Sequence, residues 1–362
     1  MMRRLRRKGQ SSLKSNKKYG HNELRDFCTK VLQKFNLPYE DAYLVADSLV
    51  QANLRGVDSH GITRMGIYTE RLSRGLIDPN PKVDVIKETA ATALIDGKHG
   101  MGQVVAAIAM KIAISKAKEA GIGLVGVRNS SHFGTAAYFS QMALQEDMIG
   151  IALSNAPATM ALWGGRTPYV GTNPFSFAVP TGGDMPIILD MATSVIARGK
   201  IIMAAQKGES IPLGLAVDKE GLMTTNAADA LEGAVLPFGG PKGSGIALLI
   251  DILSGVLNGA AFGPHISDLY RNFEVKQNVG HLLGAINLGA FAGIINFKAA
   301  VDAMIKEIKA LPAAKGTEYL LLPGEIELNE QKKRETEGFG LDVEVVEELL
   351  NLGKKYDVEW VE

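Results

Sequence analysis

Cysteine is nearly absent from this chain. Cys28 is the only one in 362 residues, which excludes an intramolecular disulfide framework and any zinc site built from several thiolates. Long apolar runs are missing as well. No stretch of about 18 uncharged apolar residues occurs, which argues against a membrane-spanning helix. There is no overall charge imbalance, with 39 Lys/Arg against 39 Asp/Glu. Acid is missing locally, however: the first twenty residues, "MMRRLRRKGQSSLKSNKKYG", hold eight Lys/Arg and no Asp or Glu, so the remainder carries a net charge of −8. An acidic body of this kind does not fit a nucleic-acid binder. The tail has no apolar core and is not a secretory signal. A disordered basic tail over residues 1–20 is the expectation. The cytoplasm is the expected compartment, with organellar targeting by the Arg-rich tail left open.

What is present is an ordinary globular composition, 46% hydrophobic and 22% charged, with ample apolar content for a core. Leu24, Phe27, Val31 and Phe35 recur at helical spacing, as do Ala42, Val45, Leu49 and Ala52, predicting helices over 21–35 and 40–55. A third helix is expected through "RGVDSHGITRMGIYTERL" (55–72), ending near Gly75. "DPNP" (78–81) breaks the chain. Short β-like runs follow, "ATALIDG", "GIGLVGVR", "IGIALSN" and "PIILD", with helices over 103–121 and 135–148 between them. "GSGIALLIDILSGVLNGAA" (243–261) reads as an apolar helix buried on every side. A helix over 295–311 leads to "YLLLPGEIE" and two charged helices. The pattern predicts an α/β class with three parts: the tail; residues 21–81 plus 282–362 as a helical cap; and 82–281 as a cofactor-binding α/β domain.

Two glycine motifs raise the question of a nucleotide. "GKHGMGQVV" (97–105) lies between a strand and a helix, but its third glycine position is Val105 and no acid ends a second strand. A tight strand-to-helix turn accounts for it better than a dinucleotide fingerprint. "GGPKGSG" (239–245) is no P-loop, because its lysine precedes the glycine. It does place Lys242 and free backbone N–H groups at a helix start, which suits an anion.

His60, Arg64 and Tyr68 stand four residues apart, and on a helix they would share one side. Asp58-Ser59 could cap that helix, placing the His60 imidazole where the helix dipole lowers its pKa. Arg64 can grip a carboxylate bidentately. His132, in "RNSSHFGTAAYF", follows a strand and precedes a helix, where α/β proteins place ligands. It is a second acid–base candidate against a plain core or capping role. "GTNPFSF" and "LDMATS" set small polar groups beside strand-like runs, which turn chemistry alone could explain.

Taken together, "LRGVDSHGITRMGIY", "RNSSHFGTAAYF", "GTNPFSFAVP", "LDMATS", "LPFGGPKGSG", "DILSGVLNGAAFG" and "LPGE" resemble the malate/L-lactate dehydrogenase family, in that family's order from about residue 22 to 355. That family is unrelated to the Rossmann-type malate and lactate dehydrogenases, and includes ureidoglycolate and sulfolactate dehydrogenases. The resemblance implies a three-layer, mixed-sheet nicotinamide-binding domain of the sulfolactate dehydrogenase-like type, not Rossmann, with a helical N-/C-terminal domain. It also implies NAD or NADP as cofactor, a small 2-hydroxy/2-oxo acid as substrate, and a homodimer whose active site draws on both subunits. Carried over by position, His132 is the acid–base group, a role His60 could share, and Ser59, Arg64 and Tyr68 bind substrate. Cofactor contacts fall to Ala156, Asn173, Asp190, Met191, Ala192, Lys242, Gly324, Glu325 and Ile326. No metal is implied.

The chain departs from the family pattern at two places: Ser244 stands where an aromatic is usual, and Leu215 where a tryptophan is usual. Malate is the first expected substrate and ureidoglycolate the second. Two other classes remain open, a nucleotide-binding paralogue without catalysis and a metal hydrolase built on His60, His132 and Asp190.

Overall fold

The computed structural model describes residues 17–360. Most of the expected basic tail lies outside these residues. Its last part is ordered: Tyr19 is buried, pairs with Phe339 through the backbone and packs its ring on Trp360 at 5.2 Å.

Helices α1 (His21–Gln33) and α2 (Tyr39–Leu54) form where the apolar spacing predicted them. Two short 3-10 turns, Asp58–His60 and Ile62–Arg64, lead into α3 (Met65–Ser73). The expected single helix through 55–72 is therefore broken at Gly61, whose backbone is extended (φ −85°, ψ −152°).

The α/β body follows. Strands β1 (Asp84–Glu88) and β2 (Thr92–Asp96) form a hairpin, and α4 (Gly102–Ala120) crosses over to β3 (Ile122–Ser130), parallel to β2. The expected helix over 135–148 is α-helical only in α5 (Ala136–Ser140), then tightens to 3-10 turns over Gln141–Glu146. Strand β4 (Met148–Ser154) is followed by the short β5 (Met160–Ala161) and β6 (Pro168–Val170), then by β7 (Phe175–Val179) and β8 (Ile187–Met191). Helix α6 (Arg198–Lys207), β9 (Ala216–Val217), α7 (Ala227–Glu232) and β10 (Ala234–Val235) lead to α8 (Pro241–Ser254) and β11 (Val279–Asn287). The chain closes with α9 (Ile294–Ala310), α10 (Glu325–Glu337) and α11 (Val343–Tyr356).

Seven strands form one mixed sheet in the order β1-β2-β3-β11-β4-β7-β8, and β6-β5-β10-β9 form a small second sheet. Only the β2–β3 contact in the large sheet is parallel. One face carries α4 and α5 over Val125, Val127, Ala152, Leu283 and Ala285. The other carries α8 over Leu153 and Leu282. This is the expected three-layer, non-Rossmann arrangement. A separate helical core joins α1, α2 and α3 to Phe339, Leu341, Leu349 and Leu352 of the C-terminal segment.

The seam expected between residues 281 and 282 falls inside β11. That strand pairs with β3 and β4 along its length. Helix α8 also differs from expectation. It buries Ala247, Ile250 and Ser254 but leaves Ile246, Leu248, Leu249 and Ile252 open, with Leu249 54% exposed. Among the described residues, nothing covers one side of this apolar helix.

Candidate active site

The turn before α3 is shaped by Asn53 of α2. Its carboxamide oxygen accepts from the Ile62 N–H at 2.9 Å, and its NH2 donates to Asp58 at 2.8 Å. Gly61 permits this approach, because a Cβ there would sit 2.1 Å from the Asn53 oxygen. Arg334 of α10 clamps Asp58 at 2.7 Å. The expected cap from Asp58-Ser59 is thus replaced: neither 3-10 turn has a side-chain cap of its own, and Asn53 caps the second from outside. Asp58 serves as the tie to the C-terminal helix instead.

His60, Arg64 and Tyr68 still converge, although they do not share one helix. Tyr68 is buried in α3, and its hydroxyl lies 2.8 Å from His132 Nδ1 and 3.0 Å from Gln103 Nε2 of α4. The His60 ring stacks on the His132 ring at 5.7 Å with 23° between planes. Ser59 Oγ is 3.0 Å from His60 Nδ1. Arg64 Nε donates to the Ser59 carbonyl at 2.8 Å, and its guanidinium lies 5.4 Å from the Tyr270 ring. Among the described residues no carboxylate forms an ion pair with Arg64. Arg71, on the next turn of α3, is fully buried and donates to the carbonyls of Leu269, Asn272 and Val275. It thereby fixes the loop that holds Tyr270 over Arg64.

The electrostatics follow from this packing. Burial, and then the Arg64 charge, pull His60 down to about 3. Burial holds His132 well below its ordinary value, helped by Arg64, His60 and His281. The direction for His60 is the one expected, but the cause is desolvation and a neighbouring cation, not a helix dipole. Burial pushes Tyr68 up to about 12, against the opposing pull of Arg64 and Gln103. At neutral pH the cleft therefore holds two neutral imidazoles, a phenol and one uncompensated guanidinium.

The other expected residues gather near the β8 end of the sheet. The Thr193 N–H donates to Thr172 O at 2.9 Å, and the Phe238 N–H to Thr193 O at 3.0 Å, stitching "GTNP", "DMATS" and "LPFGG" together. Burial raises the Asp190 carboxyl to about 6, opposed by the Ala137 amide and Arg55 and assisted by Glu327. Met191 pairs with Phe175 in the sheet, and Ala192 follows it half-buried. Asn173 is fully buried, and its amide is committed to Ala156 N (3.0 Å) and Ala247 O (2.9 Å). Its side chain therefore positions Ala156 and α8. Gly324 abuts Ile188. The Glu325 carboxylate is held by Lys309 and the Leu322 amide, while Ile326 is exposed.

Lys242 is exposed at the first turn of α8, after Gly239 and Gly240 in left-handed backbone. Ser244 accepts from the Trp163 N–H at 2.9 Å, and Leu215 packs in the small core around Ile201 and Ile211. Both departures from the family pattern thus have local packing partners away from the histidines. Gly102 of "GMG" would place a Cβ 2.2 Å from Ser131 O, so this glycine serves close packing against the His132 loop.

Sequence reasoning missed Gln103, Asn53, Tyr270 and His281. Gln103 and Tyr270 reach the cleft from distant segments, and Asn53 braces the adjacent turn from the end of α2; none of the three leaves a local pattern. His281 stood inside an apolar run, where a buried imidazole must find partners, and that was a usable signal.

The donor set suits a dinucleotide. Lys242 and the first free amides of α8 fit a pyrophosphate, and the Ser194 hydroxyl is buried without a partner at the seam between "DMATS" and "LPFGG". No group of three His, Cys, Asp or Glu residues suited to a metal occurs among the described residues. No helix among them is long and apolar enough to cross a membrane.

Comparison with known proteins gives a consistent result. The malate/L-lactate dehydrogenase family profile matches residues 19–350. An L-sulfolactate dehydrogenase of Methanocaldococcus jannaschii is 47% identical over 319 residues, covering 88% of this chain and 91% of the relative. A malate/(S)-sulfolactate dehydrogenase of Methanothermus fervidus is 42% identical over 337 residues, covering 93% and 97%. The solved structure of the M. jannaschii sulfolactate dehydrogenase superposes with a TM-score of 0.89 at 43% identity, covering 95% of this chain and 98% of that one. At lower identity, a ureidoglycolate dehydrogenase (NAD(+)) of Escherichia coli strain K12 is 34% identical, covering 92% and 93%. A (2R)-3-sulfolactate dehydrogenase (NADP(+)) of Chromohalobacter salexigens is 32% identical, covering 90% and 95%.

Proposed function

The chain belongs to the malate/L-lactate dehydrogenase family, and from that premise we propose how it works as an NAD(P)-dependent 2-hydroxyacid dehydrogenase. A nicotinamide bound here would supply the hydride chemistry. Lys242, the α8 amides and the Ala156 and Asp190–Ala192 segments would hold it, with the 324–326 turn alongside β8.

The protein's own residues manage the substrate and the proton. Arg64 binds the C1 carboxylate, and Tyr270 over its face limits where that anion can lie. His132 faces the 2-oxo or 2-hydroxy group and moves the proton. Tyr68 holds His132 through Nδ1 and is itself held by Gln103, which leaves Nε2 for the substrate oxygen. His60 stacks against His132, and Ser59 orients His60. The observation that carries this reading is the Gln103–Tyr68–His132 chain beside an arginine that no carboxylate among the described residues pairs with.

Malate and sulfolactate, each with a second anionic group, are the substrates that the relatives' names support best. Ureidoglycolate ranks below them on identity. The test is turnover of NADH or NADPH with oxaloacetate, 3-sulfopyruvate and oxalurate. Absence of both binding and turnover would overturn the function. Arg64→Ala should raise KM for the 2-oxo acid on the order of a hundredfold, the scale of losing one partner of a desolvated charge pair. An unchanged KM would remove Arg64 as the carboxylate clamp.

A homodimer is the proposed assembly. The bare apolar side of α8 continues into Val256 and Leu257, both more than half exposed, and an apolar patch of this kind on a soluble protein calls for a partner. A second copy of the chain is the occupant that fits the family reading.

A further inference from the structure

We propose that His281 is a positioning residue for His132, acting from inside the sheet. This rests on the function proposed above. His281 lies on β11, fully buried, opposite Ser154 of β4. Its ring touches the His132 loop on both sides. Nε2 is 2.8 Å from Ser130 Oγ, two residues before His132. The ring face stacks on Phe133, one residue after it, at 4.6 Å and 4°. Nδ1 is secured from behind by Ser154 Oγ at 2.9 Å. Gln277, from the approach to the same strand, accepts from the His132 N–H at 3.2 Å.

These contacts fix the backbone that carries His132, while Tyr68 fixes its ring. A proton-transfer group misplaced by about 1 Å loses on the order of a hundredfold in rate, so a rigid splint behind the loop has a direct chemical consequence. His281 itself stays neutral and out of reach of substrate. Burial holds it at about 3, and both ring nitrogens are occupied by serine hydroxyls. A phenyl ring could keep the stacking surface but would break both ring-nitrogen contacts, leaving the Ser130 and Ser154 hydroxyls with only their backbone carbonyls. A glutamine could keep the two polar contacts, since its amide O and N are spaced like the ring nitrogens.

The test compares His281→Phe and His281→Gln with the unmodified enzyme, using whichever of oxaloacetate and 3-sulfopyruvate it reduces with NADH or NADPH. Active sites are counted by cofactor titration. The expected result for H281F is a kcat at least tenfold lower with both KM values within twofold, and for H281Q a kcat within threefold of the unmodified enzyme. A kcat for H281F within twofold, or KM values that rise in step with the fall in kcat, would overturn the proposal. If H281F does not fold, Ser130→Ala carries the test: kcat should fall at least threefold at constant KM, and no change would overturn it. An independent readout needs no turnover. Ring-15N NMR of His132 should show one sharp neutral imidazole in the unmodified protein and a broadened or split signal in S130A. An identical signal in both would refute the positioning role. An unmodified protein that turns over none of the pairs, yet shows this NMR difference, refutes the dehydrogenase reading and leaves the splint standing.

Discussion

At the scale of single residues, the cleft is organised around an imbalance of charge. Arg64 is partly buried without a carboxylate, and its field falls on two imidazoles that burial already disfavours as cations. Reduction of a 2-oxo acid needs a proton, so the rate should follow the protonated fraction of His132. Because His132 lies well below 6.5 in the free protein, kcat/KM for reduction should rise steadily as pH falls from 7 to 5. Once a substrate carboxylate neutralises Arg64, one of the causes depressing His132 is removed. The apparent pKa on kcat should therefore sit above that on kcat/KM, since the first reports the complex and the second the free enzyme. Full pH–rate profiles in the reductive direction check this. Coincident pKa values would mean that Arg64 and the substrate anion do not meet beside His132. The sequence displayed Arg64, Tyr68 and His132 singly but neither Gln103 nor this coupling, because Tyr68, His132 and Gln103 are brought together from three separate elements.

At the scale of elements, legibility tracked the periodicity of apolar residues. Helices α1, α2 and α4 each keep a buried face or a long apolar run, and their spacing predicts them to within a few residues; α9 is equally legible although it buries only Val301. The 55–72 segment misleads because four-residue spacing implies a continuous helix. Gly61 instead folds over Asn53 and splits the segment into two 3-10 turns before α3. Strand β11 carries no strand signature in the sequence, and the expected domain seam falls within it. A strand central to the sheet and covered on both faces shows no alternation of polar and apolar residues. Helix α8 is legible as apolar, but its second side is uncovered among the described residues. Leu249→Glu places a charge in the middle of that side, where it costs the folded monomer little and a dimer interface much. The variant should sediment as a monomer at concentrations where the unmodified chain sediments as a dimer. An unmodified chain that is already monomeric, or a variant that stays dimeric, would show that this side is not the interface.

At the scale of the whole molecule, the same buried imidazoles set how the fold responds to acid. His60, His132 and His281 are all held below the 6.5 of an unfolded chain. A base whose folded pKa is depressed contributes stability above its unfolded pKa and loses it as pH falls, because the unfolded chain binds the proton that the folded one refuses. The window therefore runs from pH 6.5 down to about 3 for His60 and His281. Within it each such group tilts stability by up to about 1.4 kcal/mol per pH unit. His281, sealed between two strands, should approach that limit. His60 and His132 line a cleft, keep some contact with water and should contribute less. Asp190 works in the opposite sense: its raised carboxyl, at about 6, favours the fold more as pH falls through that value, offsetting part of one histidine and no more. The melting temperature should therefore drop between pH 7 and 5, with unfolding at pH 5 taking up more than one proton. Calorimetry across a pH series reads both quantities. In His281→Phe the slope should be shallower by nearly one proton, since a phenyl ring has nothing to titrate. A slope unchanged by that substitution would place the acid sensitivity elsewhere and show that the interior of the sheet tolerates a charged imidazole, which its fully enclosed position beside Phe133 argues against.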